Sequence, residues 1–324
     1  MSGRHRIGLI INPMAGRDIR RLVAHASLQS GPEKALVAKR MMAGMAAVPN
    51  TEVLLPDDQA GFFAWLKEET QNTLSVRLVD RPLGEDDSTV LWVRMLVEAG
   101  AGALVVVGGD GTQRNVAQAA PPVPVLPVAG GTNNVACYLG DQTAGGYAVA
   151  RYLADGLDPN EVGTRAKLIH VGLPGGREEL ALIDAALTRQ NYTGAMAIWD
   201  ANDVSSLILT VADAVRPGLS NVGGFRYPLR PEDPGGLFLR MSPGSPEVPA
   251  VLAPGLMGGF PVAEVRRLDF DEALVLASPE TGATLSLDGE RTVVLRAQER
   301  AQAYIRRDGP FVLDPGRILF PHRA

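Results

Sequence analysis

The chain has 324 residues, 46% hydrophobic, 21% charged and 5% aromatic, with 36 Gly and 24 Pro. These figures describe a globular protein of about two domains and exclude a disordered or fibrous class. Thirty-six acids against 31 bases leave a net charge of −5, which argues against a general nucleic-acid or anionic-membrane surface. No apolar run approaches the ~18 residues of a spanning helix; the best are Ala103–Val107 and Val123–Ala129. Arg4 and Arg6 precede an apolar stretch that stops at Asn12-Pro13, too short for a signal peptide. The one cysteine, Cys137, excludes an internal disulfide framework and a cysteine-built zinc site. The expected setting is the cytoplasm. Only Lys34, Lys39, Lys67 and Lys167 are lysines, so a phosphate-binding cation is expected to be an Arg and a Walker-type lysine loop is absent.

In chain order, Arg6–Ile11 reads as a buried parallel strand that ends at Asn-Pro. Helical spacing follows over Asp18–Ala26 and Glu33–Ala47. Thr51–Leu55 is a second strand, Asp58–Lys67 a helix, Leu74–Val79 a strand, and Ser88–Ala99 a helix capped by Ser88. Asp57-Asp58 and Glu85-Asp86-Asp87 read as solvated loops. Ala103–Val107 and Val123–Val128 are strands, each stopped by a pair of glycines. This alternation predicts βαβ units around a parallel sheet. Beyond about Gly156 the pattern changes to short apolar runs: Lys167–Leu173, Leu180–Ala185, Gly194–Trp199, Ala273–Ala277, Thr284–Leu287 and Thr292–Arg296. Joints such as Pro231–Gly236 and Ser242–Pro249 separate them, and helical spacing returns only over Asp203–Val215. The second half is thus mainly β, a sandwich or barrel, with the boundary near residues 150–165.

The sharpest local signal is Gly108-Gly109-Asp110-Gly111-Thr112, after a buried strand and before a helix-like Asn115–Ala119. Three glycines in four positions imply backbone that approaches something closely or adopts positive φ. Strand-to-helix turns at the carboxyl edge of a parallel sheet bind ligands, and their N–H groups suit a phosphate. Asp110 would repel phosphate directly; it makes sense there as a Mg²⁺ ligand or as acceptor of a proton from an attacking hydroxyl. The same letters also read as a tight turn with Asp110 as a helix cap. Gly130-Gly131-Thr132-Asn133-Asn134 repeats the arrangement, with uncharged donors and acceptors suited to ribose, base edge or phosphate. Asn12-Pro13-Met14-Ala15-Gly16 is a third strand-end loop, where Asn12 could orient a phosphate and Arg17 neutralise it. Asp288-Gly289-Glu290 reads first as a hairpin turn between alternating runs. His5, His25, His170 and His322 show no metal spacing, and Cys137 reads as a small buried residue.

Together, Asn-Pro-x-Ala-Gly at 12–16, Gly-Gly-Asp-Gly-Thr at 108–112 and Gly-Thr-Asn-Asn at 131–134 resemble the superfamily of NAD kinases, diacylglycerol kinases and sphingosine kinases. More narrowly, Asn12–Leu22, Gly130–Gly145 and Leu182–Asp200 resemble its ATP-NAD kinase-like branch, the acetoin-catabolism X proteins. The resemblance implies a Rossmann-like parallel α/β domain over residues 1–155, then a β-sandwich domain over 156–324 whose last ~20 residues can return to the first. It implies an ATP- and Mg²⁺-dependent kinase that phosphorylates a hydroxyl, with NAD as the favoured acceptor and a lipid or polyol as the alternative; a homo-oligomer is left open. Asp110, Asp288 and Glu290 would be catalytic, with Asp110 also on the metal. Asn12, Gly16, Arg17, Gly108, Gly109, Gly111, Thr112, Gly131, Thr132, Asn133 and Asn134 would bind the nucleotide. Asn115 stands where diacylglycerol kinases usually carry Glu, and Asn134 closes a motif that there ends in Asp. These departures motivate a third expectation, a nucleotide-sensing protein without turnover.

Overall fold

Five apolar runs of the first half become parallel strands: β1 (His5–Ile11), β2 (Thr51–Pro56), β3 (Ser75–Val79), β4 (Ala103–Gly108) and β5 (Val125–Ala129). They lie in the order β3-β2-β1-β4-β5, with Ile7 beside Ala103 and Leu104 beside Val125. Ala103–Val107 carries no polar residue because both faces of β4 are covered, and all five residues are buried. The computed structural model describes residues 4–12, 31–189, 201–289 and 291–320. The helix expected over Asp18–Ala26 and the strand expected over Gly194–Trp199 lie outside the described residues.

Helices α1 (Gly31–Ala46), α2 (Phe62–Thr70), α3 (Thr89–Glu98), α4 (Asp110–Ala119) and α5 (Gln142–Ala154) connect and cover these strands. The Ser88 hydroxyl caps α3, accepting the Leu91 N–H at 3.1 Å. Asp58, expected on a solvated loop, is instead buried; its carboxylate accepts the N–H groups of Phe62 and Phe63 at the start of α2. Helices α1 and α5 cross at glycines. A Cβ on Gly44 would stand 2.0 Å from the Thr143 carbonyl oxygen, and one on Gly146 2.0 Å from that of Met41.

The chain then makes a short helix α6 (Pro159–Val162) and β6 (Gly163–Arg165) before the β half. That half contains β7 (Leu168–Gly172), β8 (Glu178–Ala181), β9 (Asp184–Thr188), β10 (Val204–Leu209) and, after the short helix α7 (Ser220–Gly224), β11 (Gly236–Met241). It continues through β12 (Glu247–Ala253), β13 (Leu256–Leu268), β14 (Leu274–Ala277), β15 (Ala283–Leu287), β16 (Arg291–Leu295) and β17 (Arg300–Arg306). One antiparallel sheet runs β12-β13-β11-β10-β9-β15-β16 and a second β14-β17-β7-β8. Ile169, Leu187, Leu285, Ala303 and Ile305 fill the space between them, the packing of a sandwich. Finally β18 (Phe311–Leu313) pairs in parallel with β5 and antiparallel with β6, extending the first sheet, and α8 (Pro315–Leu319) follows. No helix among the described residues is long and apolar enough to cross a membrane.

Two expectations for this half are corrected. Asp203–Val215 is not helical: only a 3-10 turn at Ala201–Asp203 precedes β10, which lies between β9 and β11 with Leu207, Ile208 and Leu209 all buried. A strand covered on both faces loses the alternation that distinguishes it from a buried helix. Leu180–Ala185 is two strands rather than one, broken at Leu182-Ile183. Pro249 lies within β12, which tolerates it as an edge strand.

Replacing Gly146 by Val drives a branched side chain into the α1 backbone. We expect a loss of about 1–3 kcal/mol or more, read as a lower urea midpoint. Gly172→Ala, where only the Gln302 carbonyl comes within 3.8 Å, should leave the midpoint nearly unchanged.

Candidate functional site

The carboxyl ends of β1, β4 and β5 bring Asn12, the residue after β1, together with the glycine loops at 108–112 and 130–134. The Asn12 N–H donates to the Val107 carbonyl at 3.0 Å, and its Nδ2 donates to Thr112 Oγ1 at 2.8 Å, tying the first loop to the second. The buried Lys34 donates through Nζ to the Asn12 carbonyl at 3.0 Å. Gly16 and Arg17 lie outside the described residues.

Gly108 and Gly109 lead into α4, with Gly109 at the helix cap and Asp110 in the first turn. None of the glycines at 108, 109, 111, 130 and 131 has positive φ. Close approach is what requires Gly109 and Gly131: a Cβ on Gly131 would stand 2.5 Å from Gly109 Cα, and one on Gly109 2.9 Å from the Asn133 carbonyl oxygen. The second and third loops touch backbone to backbone.

Asp110 joins them. Its N–H donates to the Asn133 carbonyl at 3.0 Å. Its carboxylate is buried and accepts the N–H of Val135 at 3.1 Å on one oxygen and that of Ala136 at 2.9 Å on the other. Asp110 is therefore not the side-chain cap of α4; Gly109 occupies the cap position and no side chain caps it. Within the third loop, Asn134 Oδ1 accepts the N–H groups of Gly130 and Gly131, and its Nδ2 returns to the Gly131 carbonyl. Thr132 is half-buried beside them, whereas Asn133 Oδ1 is buried with no hydrogen-bond partner among the described residues. Gly111 and Thr112 lie buried in the first turn of α4.

Asp288 sits at the tip of the β15–β16 hairpin with φ 50°, followed by Gly289 with φ 67°. Its carboxylate neither reaches solvent nor lines the glycine loops. It accepts three backbone N–H groups, from Leu182 at 2.8 Å, Ile183 at 2.7 Å and Asp184 at 3.1 Å, which is why the chain turns there. Arg114, one turn along α4 from Asp110, brings Nε to 3.8 Å from Asp288 Oδ2, so the hairpin faces the helix that the glycine loop starts. Burial raises the Asp288 pKa, opposed by the backbone donors and Arg114. Glu290 lies outside the described residues. Among the described residues no three His, Cys, Asp or Glu side chains are grouped to hold a metal.

Two residues that the sequence did not single out, Arg114 and Arg216, connect the two halves, and a third, Lys167, lies at the junction between them. Arg216 donates to the carbonyls of Asn134 and Cys137, both at 3.0 Å. Lys167 is buried between β6 and β7, donating through Nζ to the carbonyls of Arg230 at 3.1 Å and Asp233 at 3.0 Å. Burial, and next the Arg307 guanidinium, lower its pKa to about 7. The i, i+4 spacing of Arg114 from Asp110 was a weak signal for the first. For the other two, burial appears only in the folded chain.

Residues 62–164 match the diacylglycerol kinase catalytic domain, and residues 167–308 match the acetoin catabolism protein X C-terminal domain. Acetoin catabolism protein X of Cupriavidus necator is 29% identical over 300 residues, 88% of this chain and 83% of that protein. The crystal structure of yeast NADH kinase complexed with NADH shares the fold, with a TM-score of 0.55 at 13% identity, covering 100% of this chain and 89% of that one.

Asp288→Asn should cost about 1–3 kcal/mol in urea unfolding, because an amide nitrogen then faces a buried N–H donor. Unchanged stability would mean that the folded protein carries this carboxyl protonated. Lys167 yields a pH dependence. The unfolded lysine, with its ordinary pKa of 10.5, binds a proton that the folded one releases above about 7. Between these values the unfolded state holds more protons, so the lysine's contribution to stability rises with pH, by at most about 1.4 kcal/mol per unit. Lys167→Met removes that contribution: the variant's stability relative to wild type should be highest below pH 7 and should fall as pH rises toward 10.

Proposed function

We infer that this chain, which belongs to the superfamily of NAD kinases and diacylglycerol kinases, transfers the terminal phosphoryl group of ATP to a hydroxyl of a small molecule, with NAD as acceptor. The observation that carries the reading is the pair of strand-end glycine loops clamped together by Asp110, with Asn12 hydrogen-bonded to Thr112 beside them. Phosphoryl transfer asks mainly for positioning and charge neutralisation, and two loops packed backbone to backbone at the start of α4 serve the first.

The residues present fit a nucleotide. The buried Asn133 Oδ1 has no donor among the described residues; a ribose hydroxyl or an adenine amino group would supply one. Mg²⁺ needs one or two carboxylates when substrate phosphates complete its shell, and Asp110 would supply one. Bound through Asp110, it would neutralise charge on the transferring group. The acceptor hydroxyl forms a bond to the γ-phosphorus as the bond to ADP breaks, and its proton passes to the carboxylate of Asp110. Asp288 acts through the β8–β9 turn and Arg114, and is a positioning residue in this reading.

Labelled ATP offered with NAD⁺ or with diacylglycerol in micelles tests the proposal. NADP⁺ formation is expected; phosphatidate would select lipid phosphorylation, and nucleotide binding without turnover would select a regulator. Asp110→Asn should lower turnover by about 10²–10⁴-fold, with ATP affinity and thermal midpoint followed alongside because the same side chain clamps the loops. Turnover retained within a few-fold would remove Asp110 from the chemistry.

A further inference from the structure

Next to the 135–138 segment that follows the third loop lies a cavity of about 250 Å³ between the two halves of the chain. Its walls come from α4 (Val116), β5 (Val125), β18 (Val312) and the β8–β9 turn (Leu182, Ile183). None of the residues at 108–112 and 130–134 lines it. The walls are predominantly apolar, with four charged side chains: Lys167, Arg216, Glu232 and Asp314.

Three of these four are engaged with charged or backbone partners that account for them. Arg216 serves the Asn134 and Cys137 carbonyls and stands 3.6 Å from Asp213. Glu232 pairs with Arg317 at 3.6 Å. Asp314 caps α8, accepting the N–H of Gly316 at 2.7 Å and that of Arg317 at 3.3 Å. Lys167 differs: it is 3% exposed, it gives two N–H bonds to neutral carbonyls, and it has no ion-pair partner among the described residues. An ammonium carries three donors, so one remains. A buried cation without a counter-ion is costly, and an anion entering the cavity would offset that cost.

We propose that this cavity is a binding site for a small monocarboxylate with a short apolar chain, its carboxylate paired with Lys167 and its chain against Val116, Val125 and Val312. The volume falls below the ~300–1,000 Å³ of drug-sized pockets, which suits a short-chain acid. A phosphate would call for several donors, and Lys167 has one to offer. Arg307 and Arg267 disfavour charge on Lys167 while Asp233 and Glu232 favour it, and burial dominates; a carboxylate beside it should therefore draw a proton onto the lysine. The bound acid would also touch Val135 and Ala136, whose N–H groups hold Asp110.

Calorimetry on the full chain at about pH 8 tests this, with hexanoate, hexanamide and inorganic phosphate as probes. We expect one hexanoate per chain, bound at least about tenfold more tightly than hexanamide or phosphate, with a heat that varies with buffer ionisation enthalpy because a proton is taken up. Lys167→Met should remove the preference for the acid over the amide. Val116→Phe, which fills the cavity without touching the lysine, should abolish binding of both and covers the case in which the lysine variant fails to fold. Equal binding of acid and amide by the wild type, hexanoate binding unchanged in a folded variant, or no binding at about 10 mM would overturn the proposal.

Discussion

A buried carboxylate must find donors, and in this protein two of them find them in backbone that belongs to another loop. Asp110 accepts the N–H groups of Val135 and Ala136; Asp288 accepts those of Leu182, Ile183 and Asp184. Each side chain thereby fixes the course of a segment far from it in sequence. The first sets the cleft edge of the parallel sheet, and the second sets the turn by which the β half meets it. Arg114, on the helix that Asp110 begins, stands 3.8 Å from Asp288 and brings the two arrangements into one interface.

The glycines follow from that constraint. For Asp110 to reach the 135–136 backbone, the second and third loops must lie against each other, and a Cβ at Gly109 or Gly131 would stand within 3 Å of the opposite backbone. The motif is thus as much a loop-packing device as a ligand seat. A loop held this way loses little further freedom when a phosphate arrives, which favours binding through preorganisation. It also makes the 135–137 segment a shared element, whose N–H groups hold Asp110 and whose residues line the cavity between the halves.

The two halves are stapled together by elements that return across the boundary. β18 joins β5 and β6 in the first sheet after the chain has completed the sandwich. Arg216, from the β half, donates to the Asn134 and Cys137 carbonyls of the first half, and Arg114 of the first stands 3.8 Å from the buried Asp288. Relative movement of the halves must therefore disturb buried polar groups as well as apolar packing.

The sequence by itself determined the parallel α/β half and the three strand-end loops. There the signals are local: apolar runs such as Ala103–Val107, a cap at Ser88, and glycine pairs that stop β4 and β5. It also marked Asp110 and Asp288 as residues to explain, although not what they would hold. The β half was only partly legible, because β10 is buried on both faces and shows no period, and β12 carries a proline that an edge position permits. Tertiary structure alone decided the crossing of α1 over α5 at Gly44 and Gly146, the three N–H groups gathered by Asp288, and the burial of Lys167 beside a cavity. Each of these depends on a contact between segments distant in the chain, and the residue types involved are equally at home on an exposed surface; only the folded geometry takes water away from them and makes their partners compulsory.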